Sequence, residues 1–377
     1  MPSVADCLRQ HGGEYLTSQS RGLSGQQRKV LHAIMRCRTG EFGGTLWTCD
    51  RCRRRHWVGR SCGNRHCPSC QHEKTAVWLE KQSSRLLPVH HFLVTFTVPL
   101  EVRSVLRAHQ KVGYDALFVT GRDTIRERVS KSRYLKGSEP GFFGVLHTWG
   151  RDPLVYHPHV HFVMPGGAPS ADGSKWQSTP ENFLFPHKAV IRDYKKFFAA
   201  ELRSAGLYDQ VPAAAWPKKW VVDIKPVGDG QAVLKYLAPY VHRVAISDKR
   251  ILACDDDTVT YRYTPSGKKK SKTRTVTDNE FVQGFLQHVL PHQFQKVRHY
   301  GWMNAKSLTR LESVKWLVWL HLGWVYWLAS GAAPQRERVD RPRLRCSHCG
   351  GTVRLVRIIH TDCSLVVDMK QPYFDSG

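Results

Sequence analysis

Cys49-x2-Cys52 and Cys67-x2-Cys70 are two cysteine knuckles inside a stretch, Cys37 to Cys70, that is rich in glycine and arginine. Few apolar residues are available there, so so short a stretch has little from which to build a hydrophobic core of its own. Paired knuckles offer four thiolates to a tetrahedral zinc ion, each pair closing a tight turn around it. The spacing therefore predicts a structural Zn2+ site made of Cys49, Cys52, Cys67 and Cys70. Cys37, Cys62 and His66, with His32 and His56, are candidates for a second site of the Cys/His type. A lone knuckle, Cys346-Ser-His-Cys349, recurs late in the chain, where Cys363 or His360 would complete a C-terminal site. Disulfides are the alternative for eleven cysteines, and they need an oxidising compartment. The opening residues, MPSVADCLRQHGGEYL, carry no basic stretch leading into an apolar run. The expectation is a cytoplasmic protein with reduced thiols.

Charge narrows the class of partner. With 57 lysines and arginines against 31 carboxylates, the net charge is +26. Such an excess points to a polyanion, nucleic acid ahead of an anionic membrane surface. Arg53, Arg54, Arg55 and Arg65 crowd the knuckles, as a phosphate-contacting surface would require. Lys268, Lys269 and Lys270 begin a cationic run after the predicted hairpin strands between Ile251 and Tyr263. The tryptophan-rich segment Ser313 to Ser330 contains Lys315 and His321 and falls short of the ~20 apolar residues that span a bilayer. It reads as a core or partner-facing helix, and no membrane partner is expected.

The chemistry concentrates in His157-Pro-His159-Val160-His161. Alternating strand residues share a face, so these histidines project together and two imidazoles can converge on one metal ion. A strand over Gly141 to Trp149 precedes it by a short Gly-Arg-Asp-Pro link, which favours an antiparallel hairpin and makes His147 a further candidate beside the pair. Imidazole ligands leave the metal open among several divalent ions. Tyr236 and Tyr240 lie four apart in a predicted helix, Gly230 to Arg243, and face the same way. Near a metal-bound phosphate a tyrosine hydroxyl is a candidate nucleophile.

Taken together these motifs carry a resemblance. His159-Val160-His161 fits the His-hydrophobic-His signature of HUH endonucleases. YLAPYVHRVAIS resembles the two-tyrosine motif of rolling-circle transposases of the insertion-sequence-91 family, and SCGNRHCPSCQ (Ser61 to Gln71) resembles that family's N-terminal zinc-binding region. Phe281 to Trp302 and the late knuckle are similar too, so the likeness spans roughly residues 25 to 355. It implies an α+β fold: an antiparallel sheet flanked by helices with the histidine strand central, a small N-terminal zinc-binding module and a mainly helical C-terminal region. It also implies a metal-dependent transposase that nicks and rejoins single-stranded or hairpin DNA at element ends, keeping the 5′ phosphate on a tyrosine. Carried over, His159 and His161 hold Mg2+ or Mn2+, His147 and His157 are candidates for a third ligand, and Tyr236 and Tyr240 are nucleophiles. The expected organisation is 1–75 zinc-binding and DNA-contacting, 76–89 linking helix, 90–250 nuclease core, 251–276 basic hairpin or loop and 277–377 helical with a further knuckle. A homodimer is among the implied assemblies. Pro239 departs from the family pattern and makes the two tyrosines inequivalent. A rolling-circle replication initiator and a non-catalytic zinc-dependent DNA-binding regulator are the alternatives.

Overall fold

The computed structural model of the chain describes residues 2–19, 22–242, 245–265, 267–268, 270–323, 325, 344–360 and 365–368. The N-terminal stretch folds as two helices, α1 (Val4–Ser18) and α2 (Gly25–Met35). Ser24 starts the second: its hydroxyl accepts from the Gln27 N–H at 3.2 Å, and the Gln27 side chain accepts from the Ser24 N–H at 2.9 Å. That reciprocal cap satisfies two of the donors a helix start leaves open. The cysteine-dense stretch contains a hairpin, β1 (Gly44–Cys49) and β2 (Arg55–Gly59), and the linking helix is α3 (His72–Ser83).

Next come β3 (His91–Thr97), α4 (Leu100–Ala108), α5 (Gln110–Ser130), β4 (Phe142–Trp149) and β5 (Tyr156–Pro165). A small ladder of β6 (Gly167–Pro169) and β7 (Trp176–Ser178) follows β5. After it lie α6 (His187–Ser204), β8 (Val222–Pro226) and α7 (Gln231–His242). Strands β9 (Ile251–Cys254), β10 (Thr258–Tyr263) and β11 (Lys272–Thr277) form a three-stranded sheet. Helix α8 (Asp278–Leu286), β12 (Val297–Tyr300) and α9 (Leu311–Leu322) follow. The chain then returns to strand, β13 (Val353–Ile359) and β14 (Leu365–Asp368), which join β1 and β2 in one sheet. So the C-terminal region is helical only through α9 among the described residues. Trp324 and Trp327 lie outside those residues. No helix among the described residues is long and apolar enough to cross a membrane.

The main sheet has the order β12-β4-β5-β3-β8 and is antiparallel throughout, with the histidine strand at its centre. One face carries Phe92, Phe96, Phe142, Val160 and Phe162 into a core shared with α5 and α6. The Phe162 ring occupies the space left by two glycines: a Cβ on Gly121 of α5 would meet it at 2.4 Å, and one on Gly144 of β4 at 2.7 Å. Beneath that core, Arg128 of α5 pairs with Asp193 of α6, both buried. The other face is covered by α7, which packs against α3, and its apolar part includes Phe143, Val145, Val163, Leu234 and Leu237. Helices α1, α2 and α8 and the β9–β11 sheet share a separate core.

His91, at the start of β3, is fully buried and donates from Nδ1 to the Val89 carbonyl at 2.9 Å. Burial pulls its pKa down to about 4, from the usual 6.5. The folded state therefore refuses a proton that the unfolded chain accepts near pH 6.5. Stability is full above that pH and falls as pH drops toward 4, by about 3 kcal/mol from this one imidazole. Denaturant titrations at stepped pH should show a midpoint flat from pH 8 to about 7 and falling below about 6.5; a flat midpoint down to about pH 4 would contradict this.

Candidate active site and cysteine clusters

The β4–β5 register sets the site. His147 lies directly across from His159, and Val145 across from His161, so the three imidazoles share a face. Their ligand nitrogens all fall within 4.8 Å of one another, and all three residues are buried. His159 Nδ1 is 2.7 Å from the His157 carbonyl. A carbonyl only accepts, so that nitrogen carries the proton and Nε2 keeps a lone pair. His161 Nδ1 is 2.7 Å from Thr95 Oγ1 on β3, leaving its Nε2 turned to His159 Nε2 at 3.1 Å. Two ligands at right angles on an ion ~2.1 Å away stand ~3.0 Å apart, so this spacing fits two neighbouring ligands of one cation.

Electrostatics favour the neutral imidazoles that a metal needs. Burial lowers His159 to about 4 and holds His147 and His161 well below their ordinary value, with each other's charges adding to the effect at His147 and His161. Arg103 of α4 acts on His157 and His159 in the same direction, as does Lys225 of β8 on His161. Of the two candidates for a third ligand, the structure brings His147 into the cluster. His157 stays outside it and contributes its carbonyl, with its ring 5.1 Å from that of His159.

Helix α7 lies over this face and carries Tyr236 edge-on to His161, with ring centroids 6.2 Å apart. The tyrosine is 48% exposed, so it stands at the mouth of the site and not in the core beneath. The helix continues through Pro239 to His242, so the proline does not end it. Proline has no N–H to give the carbonyl four residues back, at Lys235. Tyr240 lies one turn beyond Tyr236 on the same helix; its side chain lies outside the described residues, as does Lys269.

The cysteines do not group as their spacing suggests. Cys67 and Cys70 cluster with Cys37 and Cys62, and Cys49 and Cys52 cluster with Cys346 and Cys349. The cause is the hairpin: the Cys49 knuckle sits at its turn, the Cys67 knuckle beyond its open end, with β2 between them. Five extended residues separate them by roughly 15 Å, too far for one ion. In the first cluster Cys37 Sγ is 3.3 Å from Cys70 Sγ and 3.7 Å from Cys67 Sγ. In the second, Cys49 to Cys349 and Cys52 to Cys346 are both 3.5 Å, and His56 Nε2 approaches Cys346 Sγ at 3.2 Å. Sulfurs ~2.3 Å from a tetrahedral zinc stand ~3.8 Å apart, so both clusters fit that ion. Crowding also splits the thiols' proton affinities: contact with Cys37 holds Cys70 low and pushes Cys67 up. A Cβ on Gly351 would come within 3.2 Å of Cys49 Sγ, so glycine permits this close approach.

Three further expectations change. His66 lies outside the cysteine clusters, and its Nε2 accepts the Leu290 N–H at 3.1 Å. His360 is exposed and outside the second cluster, and Cys363 lies outside the described residues. Arg65 donates to the carbonyls of Phe294 and Pro291, at 2.6 and 3.0 Å, and so is a strut more than a phosphate ligand. Arg53, Arg54 and Arg55 are exposed around the second cluster, and Lys268 and Lys270 are exposed between β10 and β11. Thr95 is the residue that sequence reasoning missed. Its signal was faint: threonines at 95 and 97 interrupt an otherwise apolar strand.

Comparisons with known proteins agree with this architecture. Residues 141–310 match a family model described as "Putative transposase", and residues 7–98 match one described as "Transposase zinc-binding domain". A curated relative from Sinorhizobium fredii, "Putative transposase y4qJ", is 36% identical over 325 residues, 81% of each chain. The "Transposase for insertion sequence element IS801" of Pseudomonas savastanoi pv. phaseolicola is 24% identical over 305 residues, covering 75% of this chain and 71% of its own. No solved structure matches.

The clusters predict a metal count. The purified protein should carry two zinc ions per chain, and Cys346→Ser with Cys349→Ser should remove one of them while leaving the other. Elemental analysis reads both values; a zinc content untouched by the late-knuckle substitutions would exclude the second cluster as a metal site.

Proposed function

The chain belongs to the insertion-sequence-91 family of transposases with an N-terminal zinc-binding domain, and from that premise we propose that it nicks and rejoins single-stranded DNA at element ends through a 5′-phosphotyrosine. The observation that carries the proposal is Tyr236 standing edge-on, 6.2 Å by ring centroids, to one of three clustered imidazoles. His147, His159 and His161 would hold Mg2+ or Mn2+, which polarises the scissile phosphate and neutralises charge developing on it.

The chain's own groups do the rest. The Tyr236 oxygen attacks phosphorus, forming a tyrosine–phosphate bond as the bond from phosphorus to the 3′ oxygen breaks. The proton lost from the tyrosine is balanced by the one gained on the departing 3′ hydroxyl. The phosphodiester energy stays in the covalent link, so attack by a 3′ hydroxyl restores the strand without ATP. Arg103 and Lys225 place positive charge beside the histidines, where a phosphate would dock. Thr95 and the His157 carbonyl fix which nitrogens of His161 and His159 stay available. Tyr240, one turn on, is assigned the second cut. The nuclease role belongs to residues 90–250 and end recognition to residues 1–75, with exposed Arg53, Arg54 and Arg55 as phosphate contacts.

Incubation with labelled single-stranded element ends and Mn2+ should give a protein–DNA adduct on a denaturing gel. Tyr236→Phe should lower its yield at least about a hundredfold, while Tyr240→Phe leaves the first adduct intact. Binding without any adduct, for every end sequence tried, would favour the regulator reading. Thr95→Val leaves His161 Nδ1 without its oxygen partner. It should raise the Mn2+ concentration needed for half-maximal adduct by about 10- to 100-fold, with yield restored at saturating metal.

A further inference from the structure

A second concave surface lies apart from the three clustered histidines, none of which lines it. It is a cleft of about 1080 Å³ between α3, α5, the end of α7 and the segment that runs into β12. Eight lysine and arginine side chains line it, and no carboxylate does among the described residues. Some of these cations are engaged: Arg122 with Asp123, Arg298 with Asp115 and Arg65 with backbone carbonyls. Lys74, Lys81 and Arg126 make no ion pair among the described residues and are exposed along the rim. An aligned set of unpaired cations repels itself, and so stays only at a cost in stability that a polyanion would relieve.

The walls hold more than charge. Half-buried Trp78 and Tyr300 stand among the cations, and Gln71, Gln82, Gln293 and Gln295 add amide groups. Aromatic faces and amides suit exposed base faces and edges, which a duplex keeps stacked and paired. The wall of the cleft also adjoins the candidate active site through packed side chains. Lys296 on its wall lies over the Trp149 ring at 4.8 Å, and that ring stacks on His147 at 5.7 Å. Val241, five residues past Tyr236 on α7, lines the cleft as well.

We infer that this cleft is the channel for the unpaired DNA strand, holding several nucleotides beside the scissile phosphate and delivering it to the histidine–tyrosine site. The choice of DNA rests on the proposed nicking reaction; the recognition itself, phosphates on cations and bases on aromatics, does not require cleavage.

The test therefore measures binding without chemistry. Tyr236→Phe protein, without added Mg2+ or Mn2+, is titrated into a fluorescein-labelled oligodeoxythymidine strand, and anisotropy is read at several salt concentrations. Lys74→Glu, Lys81→Glu and Arg126→Glu together should weaken binding at least about tenfold. They should also flatten the salt dependence by about 2, since each single-strand phosphate contact contributes about 0.7. A control set of equal charge change, Lys136→Glu, Lys188→Glu and Lys196→Glu, lies on exposed surface elsewhere and should shift affinity far less. Unchanged zinc content verifies that both sets fold. Trp78→Ala should weaken binding while Trp78→Phe keeps most of it. Equal losses in the two charge sets, or no loss in either, would overturn the channel. A blunt duplex bound as tightly as the strand, with the same loss in the cleft variant, would overturn its single-strand character. Failure of adduct formation in the wild type would strike the nicking reaction and leave this comparison readable.

Discussion

Everything at the candidate site depends on one register, the pairing of β4 on β5 that sets His147 across from His159. A slip by one residue would turn His147 to the opposite face, into the phenylalanine core. Packing on that opposite face is what prevents the slip. Phe162 fits only where Gly121 and Gly144 leave room for its ring, and Gly144 is the residue paired with it across the ladder. Apolar packing on one side of the sheet thus positions imidazoles on the other. Exchanging Gly144 for any residue with a Cβ would disturb the histidines without touching them.

The cysteine clusters solve a different problem. The β1–β2 hairpin and β13 bury few of their apolar side chains, and their small cluster amounts to Cys49, Cys346 and Val353 with a few half-buried neighbours. Four thiolates around an ion supply the free energy that such a core lacks. The second cluster joins residues about 300 apart in sequence, Cys49 with Cys349, so it closes nearly the whole chain into a loop. One consequence is that the zinc-binding module is built from both ends of the chain.

This explains which features were legible in the sequence and which were not. Alternation in a strand is local, so the shared face of His159 and His161 could be read from spacing, and the helical spacing of Tyr236 and Tyr240 likewise. His147 could be nominated from a short link but not placed, because register is set by side-chain fit across strands. The knuckles were visible as knuckles. Their partners were not, since they depend on how far a hairpin separates two turns and on a contact spanning most of the chain. Thr95 was hidden because a threonine in a strand is ordinary; only the partner at 2.7 Å gives it a role.

Arg65 and His66 tie the zinc module to the main sheet. Both immediately precede Cys67, a member of the first cluster, and neither side chain faces solvent freely. His66 takes the Leu290 N–H, and Arg65 grips the carbonyls of Pro291 and Phe294. That gripped segment leads directly into Lys296 and then β12, the sheet's edge strand beside β4. Burial drops His66 to about 3, so it stays a neutral acceptor at any physiological pH and the contact does not switch. The geometry of the first cluster therefore fixes the segment that walls the basic cleft and props the outer side of β4, the strand that bears His147. Structural zinc thus sets the shape of the half of the molecule that carries the histidine cluster through two side chains, and loss of that metal would loosen the cleft before it unfolded the sheet.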